Sequence, residues 1–130
     1  MELPPRPISS RSYHDAHLTS VTWAGESVLL MLKDITGQSA RIALSGIHLF
    51  FLTEVLAQNV IERVDCHEVT LGNIDSILNV FRRTRSEYLS NDALERTRRA
   101  GGLVGAKFLS VHPTYGALLI ALCDHVVEEQ

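Results

Sequence analysis

The chain has 130 residues, 45% of them hydrophobic, with 12 Lys plus Arg against 15 Asp plus Glu for a net charge of −3. That is the length and makeup of one domain that buries a core without help from disulfides or metals. The charge balance excludes the chain-wide basic character of a sequence-independent nucleic-acid binder, and a charged fraction of 21% with abundant Leu, Ile and Val excludes disorder.

Three of the four prolines fall in the first seven residues, Met1-Glu2-Leu3-Pro4-Pro5-Arg6-Pro7. This stretch predicts a flexible, proline-rich arm over residues 1–12, ahead of a single domain over 13–130. It has neither the apolar stretch nor the cleavage site of a signal peptide. The longest apolar run, Ala117 to Cys123, is far shorter than the roughly twenty residues of a membrane-spanning helix. Cys66 and Cys123 sit in apolar or strand-like surroundings and read as buried, reduced thiols. A cytoplasmic protein with no membrane association is the expectation.

From His14 to Ser45 the pattern is β-rich segment, turn, β-rich segment. Leu18, Val21 and Trp23 are separated by Thr and Ser, and Ala24-Gly25-Glu26-Ser27 supplies a turn. Val28 to Lys33 is nearly all apolar and stops at Asp34-Ile35-Thr36-Gly37. Ala40, Ile42 and Leu44 then alternate with Arg41, Ala43 and Ser45. Such short connections predict a three-stranded antiparallel meander. Residues 46–57 fit neither period; Leu49, Leu52, Leu56 and Val60 would line one helical face, so a short helix or turn is expected there.

Alternation returns over Val60 to Val69, with Val60, Val64 and Cys66 on one face and Arg63, Asp65 and His67 on the other. After Asn73, a potential N-cap, the spacing of Ile74, Ile77, Leu78 and Phe81, then Tyr88 and Leu89, predicts a helix. A second helical piece is expected from Asp92 to Ala100, stopped by Gly101-Gly102. The chain closes with a hairpin, Val104 to His112 and Gly116 to Val127, turning at Pro113-Thr114-Tyr115-Gly116. Ala117 to Cys123 is apolar at every position, so both of its faces must be covered, one by helix and the other by a curling sheet or a second subunit. The fold class is therefore α+β: a mainly antiparallel sheet, N-terminal meander plus C-terminal hairpin, with one or two helices between residues 73 and 100.

Short motifs add little. His14-Asp15-Ala16-His17 places its two imidazoles on opposite faces of a strand, which suits no single metal. Cys66, Glu68, Cys123 and His125 would form a zinc set if their strands were adjacent, but no metal-ligand spacing supports it, and no metal or cofactor is expected. Neither thiol has the electropositive setting of a nucleophile. Gly101-Gly102-Leu103-Val104-Gly105 follows a helix, where a nucleotide fingerprint must open one, and lacks the ending of a P-loop.

Charge is uneven. Residues 82–99 hold Arg82, Arg83, Arg85, Arg96, Arg98 and Arg99 against three acids, a local +3 on a remainder of −6. This arginine-rich helical face is the candidate binding surface for phosphate, an acidic protein or a second copy of the chain. Pairs at i, i+4, Asp92 with Arg96 and Glu95 with Arg99, would neutralise part of it.

Three functional readings follow. The first is a non-enzymatic binding or protein-interaction domain, with self-association as a homodimer one form of it. The second is a small enzyme or ligand-binding protein with a pocket between sheet and helices, drawing on His17, Trp23, His67, Tyr88 and His125. The third, nucleic-acid binding through the arginine segment, is disfavoured because no aromatics are interleaved with those arginines. No catalytic constellation is evident.

Overall fold

The computed structural model describes residues 3–53, 55–84, 95–97, 99 and 102–129. Six antiparallel strands form a closed barrel: β1 (His17–Ala24), β2 (Ser27–Lys33), β3 (Ser39–Thr53), β4 (Val60–Glu68), β5 (Lys107–Tyr115) and β6 (Leu118–Glu129), in the order β1-β2-β3-β6-β5-β4. Between β4 and β5 the described residues hold a helix, α1 (Ile74–Thr84), and a short helical stretch at 95–97 and 99. The α+β class therefore holds as mostly antiparallel sheet with a small helix. The meander is β1-β2-β3, and the closing hairpin is β5-β6.

The segment expected to be helix or turn, residues 46–57, is strand as far as Thr53. Its lack of a clean period has a physical cause. At a bulge between Ile47 and Leu49 the strand changes register against β6. Beyond it Phe50 and Leu52 face the barrel interior, while Leu49 and Phe51 pack on a second core outside the barrel. A strand covered on both faces shows neither alternation nor helical spacing. Gly46, just before the bulge, has φ +65°, and a Cβ added there would lie 2.8 Å from Asp124 Cβ.

The two cores divide the fully apolar β6. Ala117, Leu119, Ala121 and Cys123 fill the barrel with Leu30, Ile42, Leu44 and Leu109. Ile120 and Leu122 face outward beneath Ile77, Leu78 and Phe81 of α1, with Phe81 edge-on to Phe108 at 5.8 Å. The chain itself thus covers both faces, and β6 does not require a second subunit.

The turn into β6 also differs from expectation. Pro113 lies within β5 opposite Ile61, with a register shift on either side of that pair, the kind of irregularity at which a strand tolerates proline. The chain reverses at Gly116, φ +94°, whose Cα side packs against Asn59. Asn73 does start α1, its carbonyl accepting from Ile77 N, but its side chain turns back to accept from Thr70 N and to donate to Glu68 O.

Residues 3–16 wrap the outside of β4 and one barrel end. Cys66 N donates to Arg6 O, Ile8 N to Val64 O, and Ile61 N to Ala16 O. Tyr13 and Ala16 are buried in the barrel core. Tyr13 Oη donates to Glu128, and burial together with that carboxylate pushes the phenol pKa upward. Arg11 pairs with Asp34 at 2.9 Å. The Thr36 hydroxyl first, and Arg11 and the Gln38 backbone after it, hold the Asp34 carboxyl down to about 2.

Candidate functional site

Alternation along β4 and β5 puts Arg63, Asp65 and His67, with Ser110 and His112, on the outer face, because Val64, Cys66, Leu109 and Val111 turn into the barrel. The register sets Arg63 opposite His112, Asp65 opposite Ser110 and His67 opposite Phe108. On a bare barrel this row would meet water. Here α1 and the N-terminal segment cover it, leaving Asp65 only 2% and His67 6% exposed. Between the row and its cover lies a cleft of about 360 Å³. Val80 and Arg83 from α1, Leu118 and Ile120 from β6, and Phe108 from β5 complete its walls, with Leu3 at the rim.

On two of the lining side chains a buried atom has no hydrogen-bond partner among the described residues, Asp65 Oδ1 and His67 Nδ1. The other carboxylate oxygen, Asp65 Oδ2, accepts from Arg63 Nε at 2.9 Å and lies 3.5 Å from His112 Nε2. His67 Nε2 is 2.7 Å from the Pro4 carbonyl. A carbonyl only accepts, so Nε2 carries the hydrogen, and in the neutral ring Nδ1 is a bare acceptor. His112 Nε2 is also 3.0 Å from Ser110 Oγ. Burial, then the Arg63 cation, pushes the His112 pKa below its ordinary value, against a smaller upward pull from Asp65. The ring is therefore neutral at pH 7, and its closeness to Asp65 is not an ion pair there.

Ser110, His112 and Asp65 resemble a nucleophile–base–acid set in composition but not in connection. A relay uses one imidazole nitrogen toward the hydroxyl and the other toward the carboxylate. His112 presents Nε2 to both. The row is thus arranged to hold hydrogen-bonding groups rather than to activate Ser110.

Of the five residues expected to line a pocket, His67 does. His17 is exposed at the seam opposite Val60, and Trp23, 54% exposed, stacks edge-on to Phe50 at 5.0 Å without lining the cleft. His125 is exposed on β6, and Tyr88 lies outside the described residues. The zinc set does not assemble: Cys66 and Cys123 face the barrel core, Glu68 reaches outward to Lys107 Nζ at 3.5 Å, and His125 offers Cys123 Sγ only its carbonyl. Strand alternation does put Cys66 and Glu68 at positions of one parity, but the barrel ends there, so Glu68 meets solvent. Burial drives the Cys66 thiol pKa up and the Cys123 thiol up to about 12, a setting opposite to that of a reactive thiolate. Among the described residues no group of His, Cys, Asp and Glu side chains is arranged to hold a metal ion.

The arginine-rich segment divides similarly. Arg82 is engaged by Asn79 Oδ1 at 3.0 Å and Glu95 at 3.4 Å, so Glu95 serves α1 rather than Arg99. Arg83 lines the cleft, and Arg96 and Arg99 are exposed on a helical stretch. Arg85, Arg98 and Asp92 lie outside the described residues. Gly105 N and Ala106 N bond Val69 O and Leu103 O, so the described part of the glycine-rich run, residues 102–105, leads into β5 as a turn.

Arg63, Asp65, Ser110 and His112 were not among the sequence-derived site residues. Their available signal was polar residues at alternate positions in two strands that are apolar elsewhere. That pattern reads as a solvent-facing strand until the helix covering it is known. Among the described residues no helix is long and apolar enough to cross a membrane. Compared with protein-family models, curated proteins and solved structures, the chain matches none.

Proposed function

We propose that this chain is a small-molecule-binding barrel whose ligand occupies the cleft between α1 and the outer face of β4, β5 and β6. One observation carries this reading: two acceptors, Asp65 Oδ1 and His67 Nδ1, are buried without partners among the described residues, on side chains that line a cleft together with Val80, Phe108, Leu118 and Ile120. A buried polar group left unbonded costs about 1–3 kcal/mol, so a molecule that supplies the missing hydrogens recovers that free energy on binding. Specific ligand sites combine a few convergent polar groups with apolar walls in this way. Binding without turnover is favoured over hydrolysis by the single-nitrogen geometry of His112. Of the two supports of the protein-interaction reading, the doubly apolar strand no longer calls for a partner, since β6 is covered on both faces by its own chain, and the charge asymmetry is left.

The test is a fragment mixture followed in amide NMR spectra. Shifts should gather on Arg63, Ser110, His112 and Leu118, and Val80→Trp, which fills the cleft from α1, should abolish them. Shifts elsewhere, or shifts that Val80→Trp leaves in place, would overturn the reading.

A further inference from the structure

Resting on that reading, we infer that the ligand is a small monocarboxylic acid with an apolar, ring-like middle and a neutral N–H or O–H donor at its far end. The charges in the cleft fix this class. Asp65 is balanced by Arg63, which spends its Nε on Oδ2. His112 is neutral, and His67 spends its Nε2 hydrogen on the Pro4 carbonyl. Arg83 is then the cation left to answer a ligand charge, having no ion-pair partner among the described residues. Among the described residues one unpaired cation thus faces the cleft and matches one negative charge, and a guanidinium matches a planar carboxylate fork in particular.

The opposite end follows from the unbonded atoms. Asp65 Oδ1 and the bare Nδ1 of His67 both accept, so the group that reaches them must donate. An ammonium there would add a second positive charge beside a carboxylate already paired with Arg63; a ring N–H or a hydroxyl adds none. Between the two ends the ligand lies against Val80, Phe108, Leu118 and Ile120.

Two matched sets of probes test this by calorimetry on the full chain, with amide NMR spectra to locate binding. Each set holds the acid, the same acid with its donor methylated, and the corresponding alcohol: para-hydroxyphenylacetate, para-methoxyphenylacetate and para-hydroxyphenylethanol, then indoleacetate, N-methylindoleacetate and indole-ethanol. Methylating the donor and removing the carboxylate should each weaken binding about tenfold or more in at least one set. Arg83→Gln, a change at an exposed position, should make acid and alcohol bind alike while leaving the penalty for methylation. Acid and alcohol binding equally to the unmodified chain, with shifts at the cleft, would overturn the ligand class and leave the cleft as a binding site. A cleft unresponsive to all six probes and to the fragment mixture, holding only water, would overturn both.

Discussion

Removing Arg63 should cost more stability than removing the buried acid it serves. Asp65 is 2% exposed, with one oxygen unbonded and the other held by Arg63 Nε at 2.9 Å, whereas the Arg63 side chain is 42% exposed. Arg63→Ala therefore strands a buried carboxylate. Breaking a fully buried pair in this way costs about 3–5 kcal/mol, and because only one partner here is buried, about 2–3 kcal/mol is expected. Asp65→Ala leaves the guanidinium free to turn to water and should cost about 1 kcal/mol, the loss of one charge-assisted hydrogen bond at a half-exposed donor. Once Asp65 is gone, Arg63 has little left to do, so the double variant should match Asp65→Ala. Urea denaturation of the four proteins gives the coupling energy, expected at about 2–3 kcal/mol, the whole of the Arg63→Ala loss. Additive losses, or a smaller loss for Arg63→Ala than for Asp65→Ala, would refute the assignment of Asp65 as a buried anion that depends on Arg63.

Phe81→Ala empties the centre of the outer core and should lower stability by about 3–5 kcal/mol in the same assay. Gly46→Ala combines a left-handed backbone with a Cβ inside the Asp124 side chain, so about 2 kcal/mol or more should be lost, and a near-neutral result would mean that the bulge relaxes. Because the folded-state pKa of His112 lies below that of the unfolded chain, its contribution is present at neutral pH and is lost as pH falls through about 6.5 toward the folded value. Stability of the native chain should therefore drop over that window more than that of His112→Asn, and the His112 ring protons should titrate with a midpoint below the ordinary one. Cys123, its thiol pushed up to about 12, should resist a thiol-specific chromophoric reagent in the native state and react only after denaturation.

What could be read in advance depended on whether a segment had one wet face. Ala40, Ile42 and Leu44 alternate because β3 there has the barrel on one side and solvent on the other, and the strand was legible. Ten residues later the same strand lies between two cores, and Leu49, Phe50, Phe51 and Leu52 look like nothing in particular. α1 was legible because its apolar stripe, Ile74, Ile77, Leu78 and Phe81, packs on one side only. The outer row of β4 misled for the converse reason: Arg63, Asp65 and His67 look like a solvent face, and their burial comes from residues far away in sequence. Among the described members of the expected pocket group His67 reached the cleft, while His17, Trp23 and His125 share no strand face with it. The charge split of the chain pointed to Arg83, but as a member of a helical surface rather than of a cavity.

The N-terminal segment has a further consequence. β4 bonds β5 along one edge and meets β1 through little more than the His17 and Val60 pairing, so Arg6 and Ile8 supply hydrogen bonds that its other edge would otherwise lack. The same segment lends the Pro4 carbonyl to His67. Loss of these few residues would uncover a strand edge that invites pairing with another chain, and would unroof the cleft in the same event. Hydrogen exchange at Cys66 and Ile8 amides should then report a single opening that governs both resistance to aggregation and access for the ligand.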